Sequence, residues 1–231
     1  MTAQPAEPSS GPCSAGPPLN AQLVRRLRRS AGAELSGSLY AVPPAHRPAV
    51  ARLLAEQRIW VHADVFADSR AGISLDLINE LADRGAGPID VHLLTAGALE
   101  VLDAVCRPGI TRVTFPFEGV PDASSVAARI RAAGTSPWLA IAPGTMLDAC
   151  ADTLPHVDGL LVMLLEPGSR GRSDPALLAK VSSASATGPV GVDGGVGEGN
   201  LGDVLAAGAG YVVIGRRLFA VPTTSSKEEP E

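Results

Sequence analysis

The sequence predicts an α/β fold: a closed (β/α)8 TIM barrel of the phosphate-binding type, with an extra N-terminal helix and a short or missing eighth helix. Three observations carry the prediction. Short runs rich in β-branched and other apolar residues alternate eight times with Ala/Leu stretches of helical period. Glycine-rich loops follow the later strands, where such barrels hold phosphate. An open doubly-wound sheet is the alternative, but no GxGxxG turn follows the first strand.

Residues 1–19 are rich in Pro, Ser, Gly and Ala and cannot bury enough apolar surface to offset the entropy of ordering, so a disordered tail is expected. "NAQLVRRLRRSAGA" follows, a helix with Asn20 as its N-cap. The strands expected next are "SGSLYAV", "IWVHADV", "PIDVHLL", "ITRVTFP", "PWLAIAP", "VDGLLVML", "PVGVDGG" and "YVVIGR". The helices between them are "HRPAVARLLAEQR", "SLDLINELADRG", "AGALEVLDAVC", "DASSVAARIRAAG", "TMLDACADTL", "DPALLAKVSSA" and "NLGDVLAAG". Gly85, Gly134 and Gly208 mark helix exits. After "YVVIGRRLF" too little chain is left for a full eighth helix, so the N-terminal helix is expected to cover the wall left bare there. One barrel domain over residues 20–220 results, with 221–231 a second disordered tail.

Composition narrows the function. The net charge is −5, aromatics are 3%, and no basic block stands out, which disfavours a nucleic-acid surface. Cys13, Cys106 and Cys150 are too few and too scattered for a disulfide framework or a Cys-based zinc site. The N-terminus lacks the basic start and apolar run of a signal peptide, and no apolar run reaches membrane-span length, so a cytoplasmic protein is expected.

Residues two apart on a strand share a face. His62 and Asp64 therefore point the same way near the end of strand two, while His92 ends strand three and Asp193 ends strand seven. Barrel closure brings strand C-termini together at the face that carries active sites. Two imidazoles and two carboxylates there suit a divalent transition metal or acid–base work, and spacing alone leaves both open. The loops "DGGVGEGN" and "VVIGRR", and "EPGSRGR" after strand six with Arg170 and Arg172, offer backbone N–H groups to an anion.

In this order, these residues resemble the ribulose-phosphate 3-epimerase family over about residues 36–219. "GSLYAV" is similar to its first strand, "VHADV" and "DVHLL" to the second and third, "LVMLLEPGSRG" to the sixth and its phosphate loop, and "VGVDGGV" and "VVIGR" to the seventh and eighth. The resemblance implies an isomerase of carbohydrate metabolism that epimerises D-ribulose 5-phosphate and D-xylulose 5-phosphate at C3. It implies one divalent metal, zinc in the first place with iron or manganese as alternatives, held by His62, Asp64, His92 and Asp193. Asp64 and Asp193 are then the proton carriers. Ser38, His92, Met163, Gly168, Ser169, Arg170, Gly171, Gly194, Gly195, Gly215 and Arg216 are the expected substrate contacts. No nucleic-acid or membrane partner is expected, and a homo-oligomer is compatible with the family.

Departures from the family pattern cluster around the pocket: Phe66, Ala67 and Asp68 after His-x-Asp-Val, Pro116 for a His, Ala142 for an Asn, Ser169 and Arg170 in the sixth loop, and Arg216 for a Ser. They leave two further expectations open: epimerisation of another ketose phosphate, or a catalytically weak sugar-phosphate-binding relative.

Overall fold

The computed structural model describes residues 17–30, 32–67, 72–166, 169 and 171–219. Most of both expected tails, the expected site residues Gly168 and Arg170, and Asp68 after the second strand lie outside the described residues. Eight parallel strands close into one barrel in sequence order: β1 (Glu34–Ser38), β2 (Trp60–Val65), β3 (Ile89–Leu93), β4 (Arg112–Pro116), β5 (Ser136–Ile141), β6 (Gly159–Met163), β7 (Val190–Asp193) and β8 (Tyr211–Ile214). β8 pairs back onto β1, Val213 opposite Ser36. The strand order and their approximate positions are as the periodicity predicts. β1 differs most, since it starts at Glu34 and gives way to a 3-10 turn over Leu39–Ala41.

The helices are α1 (Ala21–Arg29), α2 (Arg47–Glu56), α3 (Leu75–Asp83), α4 (Leu102–Val105), α5 (Ala123–Ala132), α6 (Leu178–Ser185) and α7 (Leu201–Ala206). The helix expected after β5 is instead two 3-10 turns, Leu147–Cys150 and Leu154–His156. Pro155 inside that stretch has no N–H to donate, which stops a continuous helix. The helix expected after β3 is likewise a 3-10 run, Ala96–Val101, ending in the single turn of α4.

Among the described residues no helix follows β8, and α1 packs on the wall beside it. Asn20 caps it, its side-chain oxygen accepting from Gln22 N (3.1 Å) and Leu23 N (3.3 Å). Leu23, Val24 and Leu27 are buried in the outer core. Arg28 reaches Gln57 beyond α2, and Arg26 donates to Glu198 O at the foot of α7 (2.6 Å). The helix thus fills the ring between first and last neighbours. Leu19 also bridges Phe219, tying the entry of the chain to its exit.

Two apolar layers result. The larger lies between sheet and helices; the smaller lies inside the barrel and contains Leu94, Trp138, Ala140, Leu161, Met163, Tyr211 and Val213. The remaining inward positions are polar: Ser36, Ser38, His62, Asp64, Asp90, His92, Arg112 and Thr114 are all buried. Among the described residues, no helix is long and apolar enough to cross a membrane.

Candidate metal and active site

The inward polar positions are register neighbours. Ser38 lies opposite His62, His62 opposite Asp90, and Asp64 opposite His92. Asp193 joins from β7 across the barrel. Its carboxylate Oδ2 lies 3.6 Å from His62 Nε2 and 3.7 Å from His92 Nδ1. Asp64 Oδ1 lies 3.1 Å from His62 Nε2 and 3.5 Å from His92 Nδ1. One ligand atom from each of the four residues falls within 4.8 Å of all the others.

This donor set fits a divalent cation. Zinc bonds of about 2.0–2.1 Å place tetrahedral ligands about 3.3 Å apart, close to the separations above. His92 Nδ1 is buried without a hydrogen-bond partner, facing the two carboxylates. Nitrogen and oxygen donors with no cysteine suit zinc and its first-row neighbours.

The ligands are themselves held. Ser38 Oγ donates to Asp64 Oδ2 at 2.8 Å, leaving Oδ1 for the centre. His62 Nδ1 pairs with Asp90 Oδ2 at 3.1 Å, which turns Nε2 toward the centre. Asp90 also accepts from Thr114 Oγ1 (2.8 Å) and Tyr211 Oη (2.9 Å). A carboxylate behind a ligating histidine sets its tautomer and orientation.

The electrostatics are those of a site built for positive charge. Burial by itself would depress His62, but the charge of Asp64, the nearby carboxylate of Asp193 and the hydrogen bonds to Asp64 and Asp90 raise it well above the ordinary value. His92 is raised too: burial opposes this, and the facing carboxylates of Asp193 and Asp64 outweigh it. Burial would raise the carboxyls of Asp64 and Asp193, yet the two histidines hold both below the ordinary range. Asp90 is lowered to about 2, burial again being outweighed by His62 first and by Arg112 after it.

The structure brings the four expected ligands together, with Ser38 against one of them. Met163 is 5% exposed and is the register partner of Asp193, so it walls the same space. Gly194 and Gly195 follow β7, and Gly215 and Arg216 follow β8, Arg216 exposed. Ser169 and Gly171 lie in the exposed loop after β6. Asn200 links the sixth and seventh loops, donating to Ser173 Oγ (2.7 Å) and Gly195 O (3.1 Å). At the mouth, the rings of Tyr40 and Phe66 meet at a 46° tilt with centroids 5.4 Å apart.

Sequence reasoning missed Asp90, Thr114, Tyr211 and Arg112. For Asp90 a signal existed: it precedes His92 by two residues, the same spacing that put His62 and Asp64 on one face. The other three needed the register.

Comparison with known proteins follows the same lines. The sequence profile described as the ribulose-phosphate 3 epimerase family matches residues 35–219. The ribulose-phosphate 3-epimerase of Mycobacterium bovis is 32% identical over 171 residues, covering 69% of this chain and 75% of that protein. Its counterpart in Mycobacterium leprae is 29% identical over 178 residues, 72% of this chain and 80% of that one. Among solved structures, phosphoribosyl anthranilate isomerase from Thermus thermophilus superposes with a TM-score of 0.62 at 19% identity, over 84% of this chain and 92% of that one. Tryptophan synthase from Mycobacterium tuberculosis gives 0.58 at 19% identity, over 85% and 88%. At these identities the superpositions speak for the fold alone.

Proposed function

This chain belongs to the ribulose-phosphate 3-epimerase family of isomerases acting on carbohydrates, and from that premise we propose that it interconverts D-ribulose 5-phosphate and D-xylulose 5-phosphate at C3, using one divalent metal ion, zinc first among the candidates. The observation that carries this reading is the meeting of Asp64 and Asp193, from strands on different sides of the barrel, around His62 Nε2 and His92 Nδ1.

Epimerisation beside a carbonyl removes a C–H proton and returns one to the opposite face. His62, Asp64, His92 and Asp193 would hold the ion, which supplies Lewis acidity toward the charge developing on the carbonyl oxygen. Of the two carboxyl groups, one takes the C3 proton as carboxylate while the C–H electron pair moves toward the carbonyl. The other, protonated, delivers its proton to the far face of C3. Asp193 is the more open of the two, its side chain 17% exposed against 8% for Asp64. Ser38 and the histidines keep Asp64 from turning away. Backbone N–H groups of the loops bearing Gly171, Gly194, Gly195 and Gly215 anchor the phosphate, so remote binding energy holds C3 between the carboxyls. Met163 excludes water from one side.

The test is incubation of zinc-supplemented protein with D-ribulose 5-phosphate in deuterated water, with Asp193→Asn as control. Deuterium at C3 and formation of xylulose 5-phosphate, both absent in the variant, are expected. Stoichiometric metal without exchange would overturn this substrate. The departures around the pocket, among them Phe66, Pro116, Ala142 and Arg216, favour, as a second reading, another ketose phosphate, for which the same exchange assay serves.

A further inference from the structure

We propose that Arg112 is a positioning residue for the metal centre, acting through Asp90 on His62; the inference rests on the metal-site reading above. Arg112 begins β4 at the floor of the barrel. Its register partner on β3 is Asp90, and the partner of Asp90 on β2 is His62. One inward row thus runs across three strands and ends on a ligand.

Asp90 is fully buried and accepts from three donors, Thr114, Tyr211 and His62. A buried carboxylate needs a countercharge as well as hydrogen bonds. Among the described residues, Arg112 is the only buried Arg or Lys, at 6% exposure. Its guanidinium carbon sits 3.7 Å from the ring centroid of Trp138, 4.3 Å from Tyr211 and 4.4 Å from Trp60. Such ring faces attract and orient a cation. Among the described residues its Nε and Nη1 have no hydrogen-bond partner, and Nη2 is 3.9 Å from Glu34. Ring faces rather than directed bonds therefore hold it, and it acts on Asp90 as a charge.

The cage is a built feature. A Cβ at Gly159 would fall 2.4 Å from the Trp138 ring, and one at Gly191 would fall 2.8 Å from the Tyr211 ring. Both glycines are register partners of the aromatics they admit. Tyr211 links the two halves, its ring against Arg112 and its hydroxyl on Asp90. With Asp90 held as acceptor, His62 presents N–H at Nδ1 and its lone pair at Nε2.

The test compares zinc affinity by chelator competition, the visible spectrum of the cobalt-substituted protein, and the 15N signals of His62 in metal-free protein at alkaline pH, where its ring is neutral. Arg112→Met, which keeps the cage filled, should weaken zinc binding by about 10- to 100-fold, alter the cobalt spectrum and mix the His62 tautomers. Arg112→Lys, which keeps the charge, should recover most of that loss. Wild-type zinc affinity and unchanged His62 signals in Arg112→Met would overturn the proposal, as would equal loss in both variants, which would point to packing alone. Should Arg112→Met not fold, Arg112→Gln removes the charge from the same cage with a polar side chain of similar reach. It should weaken zinc binding, and unchanged affinity there would also overturn the proposal. A wild-type protein that binds no zinc would overturn the metal site itself and this inference with it.

Discussion

At the scale of single residues, His62 shows how the site works. One ring nitrogen is committed to Asp90 and the other faces Asp64 and Asp193. His62→Ala should bring zinc content from near one ion per chain to near none under mild chelation, read by elemental analysis. The titrating groups give a pH prediction for metal-free protein. His62 and His92 are raised from 6.5, so their contribution to stability is present below that value and is lost as pH rises through the folded values. Asp64, Asp90 and Asp193 are lowered from 3.8, so theirs is present above that value and is lost as pH falls, for Asp90 through about 2. Melting temperatures of chelator-treated protein should therefore fall on raising pH above neutrality. Zinc-loaded protein, in which the histidines are already deprotonated, should not show this fall.

At the scale of elements, α1 packs on the barrel wall between the first and last units. It buries Leu23 and Leu27 in the outer core, lies against β1, and is tied to the α7 side through Arg26 and through Asn20, which also bonds Glu198. Leu27→Ala should destabilise the fold by about 2–5 kcal/mol in denaturant titration. Asn20→Ala loses a helix cap and should cost about 0.5–2 kcal/mol. A chain beginning after residue 32 exposes that wall and should be less stable or aggregate; a truncation as stable as the full chain would refute the role of α1. α1 was legible because its cap and its apolar spacing are local. The turns after β5 were not, because apolar spacing in "TMLDACADTL" mimics a helix while Pro155 just beyond limits it.

At the scale of the whole molecule, the barrel interior is divided by chemistry. The four candidate ligands lie toward the mouth, the ring-caged Arg112 lies at the floor, and Asp90 joins them. A metal that binds only the folded form stabilises it by mass action, about 2.7 kcal/mol when free ion is a hundredfold above its dissociation constant. Zinc should thus raise the melting temperature of wild-type protein and leave that of His62→Ala unchanged, in parallel thermal scans.

The sequence by itself determined the alternation of strands and helices, the closure order, and the shared face of His62 and Asp64. These follow from side-chain periods of two and 3.6, which are properties of neighbouring residues. His92 and Asp193 could be placed at strand ends for the same reason. Only the tertiary structure decided which side chains meet across the barrel. Tyr211 reaches Asp90 over 121 residues of chain, and Asp193 reaches His62 from the opposite part of the sheet. Such meetings depend on the stagger between strands, and a shift of one residue would turn each of these groups out of the barrel.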